Sequence, residues 1–242
     1  MTKTHILQSG LCLSIVSLAL AGCGKPATAP AAASPPTSAM AQTPAAAHTS
    51  GSITANSALL AAGEPFENLT EQALTAPLTT LDGLIVKAKG TAQTVRSYLP
   101  TDAAGQLDAK LGEIEVARQA NQRTDLALAS VEVYRIMVSA VTPPVRTPTQ
   151  VNMLDYAGFR YNADLMAKPS RWSDMAQAID VARDNWSQLS PQVTDPALRA
   201  KVDAAVADME SAATARNANH AVSSVKRELD LVDALEKSFS KP

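Results

Sequence analysis

The sequence predicts an all-α protein, an up-down antiparallel four-helix bundle whose odd-numbered helices are broken by proline. Three observations lead there. Glycine is scarce, at 10 of 242 residues, while alanine is abundant and β-branched runs are short, a composition that favours helix. Apolar residues recur at alternating steps of three and four, the seam of a packed helix. Prolines punctuate the periodic stretches at Pro100, Pro143-Pro144 and Pro191, and long helices with short connections become antiparallel neighbours.

The first seam is Leu78, Leu81, Ile85, Ala88, Ala92, Val95 and Leu99. The stretch 102–142 carries Ala120, Thr124, Ala127, Val131, Tyr134, Val138 and Val141. Trp172, Met175, Ile179, Ala182, Trp186, Leu189 and Val193 form a third, and Ala218, Val222, Val225, Leu229 and Val232 a fourth that continues towards Phe239. Order repeats along the chain. Pro77 and Pro169 each interrupt an odd-numbered segment, Pro100 and Pro191 follow about 22 residues later, and then come Thr101-Asp102 and Thr194-Asp195, suited to capping the next helix. Further on, ARQANQ at 117–122 echoes ARNANH at 215–220. These echoes suggest a duplicated helical hairpin; chance likeness between alanine-rich helices is the other reading.

Lys3, an apolar stretch from Ile6 to Leu20 and then Leu20-Ala21-Gly22-Cys23 open the chain. This resembles the signal peptide and lipobox of bacterial lipoproteins, with charge, apolar run, small residues and cysteine in order. The run is short for a membrane span, which takes about 20 apolar residues. The resemblance implies removal of residues 1–22 and lipid on Cys23, which would anchor the protein to a membrane of the bacterial envelope. Gly24 after the cysteine resembles the pattern of outer-membrane lipoproteins, facing the periplasm. Cys12 would leave with the leader, so the mature chain would carry no free thiol.

Residues 23–63 read as anchor and tether, rich in Ala, Pro, Ser and Thr and almost free of charge. Such composition cannot bury enough surface to offset ordering entropy, and ~40 flexible residues span roughly 35 Å. Residues 64–242 read as the folded domain. A net charge of −2 and no basic run argue against a nucleic-acid partner.

The sequence carries no CxxCH, HExxH, P-loop or GxSxG motif, so it predicts neither catalytic residues nor a cofactor. His220, the single histidine of the domain, reads as a surface residue. Its alternative is a haem or metal ligand with one of Met137, Met153, Met166, Met175 or Met209. Arg118, Asn121, Asp125, Glu132 and Arg135 share one helical face, as do Arg216, Asn219, Ser223, Asp230 and Asp233; both read as solvated. Arg160 and Asp164 read as a surface pair.

The most informative stretch is LDYAGFRY, 154–161. Val151, Leu154, Gly158, Tyr161 and Leu165 line the bundle seam, while Tyr156, Phe159, Ala163 and Met166 face the other way. The preceding helix behaves alike, with Leu126, Ala129, Val133, Ile136 and Met137 behind its seam. A helix apolar all round is buried on both sides. The second face, represented by Leu126, Val133, Met137, Tyr156, Phe159 and Met166, is either covered by Phe66, Leu69, Ala73 and Leu74 or open to an apolar ligand or envelope partner. Three readings follow. The first is a non-catalytic binding module using that face, the second a haem or metal carrier at His220, and the third a structural envelope component.

Overall fold

The computed structural model describes residues 45–240, with side chains from Ser52 onward. The signal peptide, Cys23 and the tether up to residue 44 lie outside the described residues. The described chain is all-helical: α1 (Ala45–Ala73), α2 (Leu78–Val95), α3 (Thr101–Gln119), α4 (Arg123–Ser139), α5 (Thr149–Met166), α6 (Trp172–Leu189), α7 (Pro196–Thr214) and α8 (Ala218–Ser240). Short 3₁₀ turns follow α2 and α6. None of these helices is long and apolar enough to cross a membrane.

The count corrects the expectation of four long segments. The stretch 102–142 is two helices, because Asn121 turns left-handed at φ 54°. The Gln122 N–H then donates back to the Ala117 carbonyl (2.8 Å). Arg216 does the same at φ 49°, with Asn217 N–H on Ala212 O (2.9 Å). Both are helix stops that satisfy the last carbonyls through a left-handed residue. Of the expected caps, Asp195 accepts from the N–H groups of Ala197 and Leu198, whereas α3 starts directly after Pro100 with no side-chain cap.

The tether boundary also moves. Helix α1 begins at Ala45 rather than after residue 63, and Asn56, Leu59 and Ala62 are buried. Asn56 holds the far end of α4, donating to Thr142 O (2.6 Å) and accepting from Thr142 N (3.1 Å). Composition alone missed this, because the tract has few large apolar side chains, yet Leu59 and Phe66 are enough to seat α1 in the core.

Helix α1 packs on α2 and α4, and α3 on α4. In the second half α5 packs on α6 and α8, and α7 on α8. Helices α4 and α5 join the halves, and α1 also touches α5. The halves share a register of 95 residues across these central contacts. A Cβ at Gly63 would press on Tyr134 Cδ2 (2.9 Å), and one at Gly158 on Leu229 Cδ2 (2.7 Å); the two glycines are 95 residues apart, and so are Tyr134 and Leu229. Buried Leu59, Ala62 and Phe66 correspond in this register to buried Leu154, Ala157 and Tyr161. The ARQANQ and ARNANH echo lies three residues out of this register. A shift of three keeps a helix face nearly in place, which is why alanine-rich helices match out of phase.

The α8 seam shifts as well. Its buried residues are Ala221, Ser224, Val225, Glu228, Val232 and Leu235, whereas Val222 is half exposed at 50%. The expected seam used Leu229, one residue from the buried Glu228, because apolar periodicity does not select a glutamate for the core.

Candidate functional site

Five of the six residues assigned to a second apolar face are core. Leu126, Val133, Met137, Tyr156 and Phe159 lie between 0% and 7% exposed, in one cluster with Phe66, Leu69 and Ala73 of α1. This corrects the open-face reading: α1 is the cover. Met166, at the end of α5, remains exposed at 45%. Tyr161 packs as expected, its hydroxyl donating to Met209 O (3.1 Å). Two clefts that reach Phe159 open towards α8.

Tyr156 is the apolar body of a polar device. Its hydroxyl donates to Glu132 Oε1 (2.6 Å), Arg160 Nη1 donates to the same oxygen (2.7 Å), and Arg135 Nε donates to Glu132 Oε2 (2.8 Å). Glu132 was expected on a solvated face, but its side chain is only 16% exposed. Burial alone would raise its pKa; the hydrogen bonds from Tyr156 and Arg135 and the charges of both arginines outweigh burial and hold it low. Burial and the Glu132 carboxylate push the Tyr156 hydroxyl up to about 12. Asp164, expected on the surface, is 1% exposed, and its Oδ2 stands 3.9 Å from Arg160 Nε without a hydrogen bond. Burial pushes its carboxyl up to about 6. These groups line a cleft of about 590 Å³ between α3, α4, α5 and the start of α6. Its basic groups are already paired: Arg160 with Glu132, Arg171 with Asp125 (2.7 Å) and Lys110 with Glu113 (2.8 Å).

The opposite junction of the halves is different. A cleft of about 500 Å³ lies between α1 and α8 over α5. Glu64, Glu67 and Glu71 of α1 face Asp230, Asp233 and Glu236 of α8, and Asp155 of α5 forms the floor. No basic residue lines it. Lys226 pairs with Asp230 (3.0 Å) and Lys237 with Asp233 (4.0 Å) on their own helix, and Lys226 lines an adjoining cleft that shares Glu71 and Asp230. Burial, then the neighbouring acids, raise the carboxyls of Glu67, Glu71 and Glu236, and raise Asp155 well above the ordinary value.

Two buried groups back this floor without partners. Tyr134, 2% exposed, lies within reach of Glu67, Asp155 and Asn152 but completes no hydrogen bond through its hydroxyl. Glu228, 1% exposed, has no partner on either oxygen; burial raises its carboxyl well above the ordinary value, and its charge acts on Asp155. In the 95-residue register Glu228 stands where the first half has the fully buried Val133.

Sequence reasoning kept Asp230 and Asp233 on a polar face but missed Glu67, Asp155 and Glu228. His220 sits in the first turn of α8, where its backbone N–H is held by Asn217 Oδ1 (3.1 Å). Among the described residues, no three acidic, histidine or cysteine side chains converge on a metal-sized position. Met137, Met175 and Met209 are fully buried in the core clusters. No family model matches the chain, and neither the curated proteins nor the solved structures contain a significant match to it.

Proposed function

We propose that this protein is a lipid-anchored component of the bacterial envelope, held on the periplasmic side of a membrane through Cys23, and that it binds rather than catalyses. The observation that carries the binding reading is the acidic cleft between α1 and α8. No basic residue lines it, and lysines pair only with Asp230 and Asp233 among its carboxylates; like charges held together attract whatever cation can replace their lost hydration. The partner is therefore a cationic group rather than the apolar ligand that the second face suggested. Burying acids there costs stability, and proteins retain such costs mainly at functional sites.

The finer architecture belongs to the same reading. The chain is two copies of one four-helix unit, each up-down and antiparallel, joined through α4 and α5. The common 95-residue register of the Gly63–Tyr134 and Gly158–Leu229 contacts supports this. The second copy then diverged at buried positions, with Glu228 in place of Val133 and Asp164 in place of Leu69.

Anchoring and binding are tested together on full-length protein taken from bacterial membranes. Intact mass should show acyl chains that Cys23→Ser removes. Native mass spectrometry should show cationic species retained by the wild type and lost from Glu71→Gln/Glu236→Gln. An unlipidated Cys23 in the wild type would sink the anchor, and identical spectra from the two forms would sink the cleft.

A further inference from the structure

We propose that the acidic cleft binds a linear organic polyamine, its ammonium groups spaced along the α1 carboxylates and its methylenes lying on the Phe159 side of the floor. The proposal rests on the binding-module reading and names its ligand. Glu64, Glu67 and Glu71 follow one another at helical steps of three and four, so the carboxylates rise by about 5 Å and then about 6 Å along α1. Ammonium groups joined by three or four methylenes have the same separations. Asp233 and Glu236 run along the facing wall on α8, so each ammonium meets carboxylates from two helices.

The other lining residues favour an organic ion over a metal. Half-buried Leu229 and the exposed edges of Phe159 and Val232 line the cleft beside the acids and offer a small apolar contact to methylene segments, as ligand sites usually combine polar groups with apolar surface. An inorganic cation would need several oxygens around one point, and no such convergence exists among the described residues.

The buried groups behind the floor point the same way. Tyr134 hydroxyl is orphaned although Glu67 and Asp155 are beside it. An ammonium in the cleft favours the ionised form of those carboxyls, and an ionised carboxylate is a strong acceptor for the waiting O–H. Glu228, buried and without a partner, stands at a position where the first half has Val133.

The test is calorimetric titration of the full chain with spermidine, near neutral pH and at low ionic strength, beside magnesium ion and a simple monoamine. Spermidine should bind one per chain. Glu71→Gln/Glu236→Gln should weaken it by about tenfold or more, the loss of at least one charge-assisted contact. Glu113→Gln, in the other cleft, should leave it unchanged, and circular dichroism should report the same helicity for all three proteins. Magnesium binding as tightly as spermidine, or the monoamine doing so, would overturn the polyamine assignment and leave a general cation site. Spermidine binding that is indifferent to the cleft substitutions would overturn it too. No cation binding of any kind would remove both the polyamine and the binding-module reading.

Discussion

Gly158 of α5 lies directly beneath Glu228 of α8: a Cβ added at Gly158 would overlap the Glu228 Oε2 atom and approach Leu229 Cδ2 to 2.7 Å. The absent side chain lets two helices meet closely enough to seal a glutamate between them. We expect Gly158→Ala to destabilise the protein by about 1–3 kcal/mol through overpacking, and Gly63→Ala to act alike against Tyr134. Gly83 and Gly90 are the controls. They lie within α2 with open space at the Cβ position, so alanine there should stabilise by about 0.4–1 kcal/mol. Thermal or urea unfolding separates the two pairs by sign; equal effects at all four sites would refute the close-approach account.

Glu228 makes stability depend on pH in a defined direction. Its folded pKa is raised above the ordinary 4.5 by burial, so the native state holds a proton that the unfolded chain releases. Stability is then lost as pH rises above about 4.5, until the folded-state carboxyl itself ionises. Glu67, Asp155 and Glu236 shift the same way. The wild type should therefore be more stable at about pH 5 than at about pH 8, and Glu228→Gln should flatten the slope. Urea midpoints across this range decide it, and a wild-type profile that rises with pH would contradict the burial of these acids.

Glu132 has the opposite sign. Its folded carboxyl is held below 4.5 despite burial, by Tyr156, Arg135 and Arg160, so its contribution is present above that value and fades as pH falls through the folded pKa. Glu132→Gln leaves Arg160 and the Tyr156 hydroxyl short of a charged acceptor. We expect a loss of about 1–3 kcal/mol at neutral pH, shrinking at strongly acid pH. A loss that is constant with pH would mean that the carboxylate charge is not what matters.

The helical class, most seam positions and the burial of Phe159 under the Phe66 segment were legible because apolar periodicity reports packing directly. LDYAGFRY was also a repeat in plain view. Leu59, Ala62, Gly63 and Phe66 stand at the same spacing as Leu154, Ala157, Gly158 and Tyr161. Matching proline to proline set the halves at other offsets and hid this likeness. In the 95-residue register Glu228 falls opposite Val133 and Asp164 opposite Leu69, and these mismatches are the sequence signals that could have exposed buried acids. The acidic cleft itself was not legible. Glu64, Glu67 and Glu71 belong to a helix whose start read as tether, and they meet Asp233 and Glu236 only once α1 is laid beside α8.

Helix α1 should therefore be essential rather than dispensable. Leu59 and Leu154 occupy equivalent buried positions, at 1% and 0% exposure. Each leucine replaced by alanine should cost about 2–5 kcal/mol, and removal of residues 45–63 should cause a large loss of helicity by circular dichroism. A shortened chain with an unchanged melting profile would restore the earlier boundary at residue 64.

Cation binding and proton binding should compete in the cleft. The raised carboxyls of Glu67, Asp155 and Glu236 carry more proton at a given pH than free carboxyls do. An ammonium stabilises their charged forms, so it must displace those protons, and by linkage its affinity rises as pH rises. Spermidine should accordingly bind more tightly at about pH 8 than at about pH 5, with proton release on binding. Titrations in two buffers of different ionisation enthalpy count the protons released. Glu236→Gln should reduce that number while Glu113→Gln leaves it alone. Added salt should weaken binding in every case, since the cleft is open to solvent and its charges are screened within about 10 Å at 0.1 M. Affinity that is independent of pH, with no proton released, would show that the ligand meets carboxylates already ionised and that the buried floor takes no part.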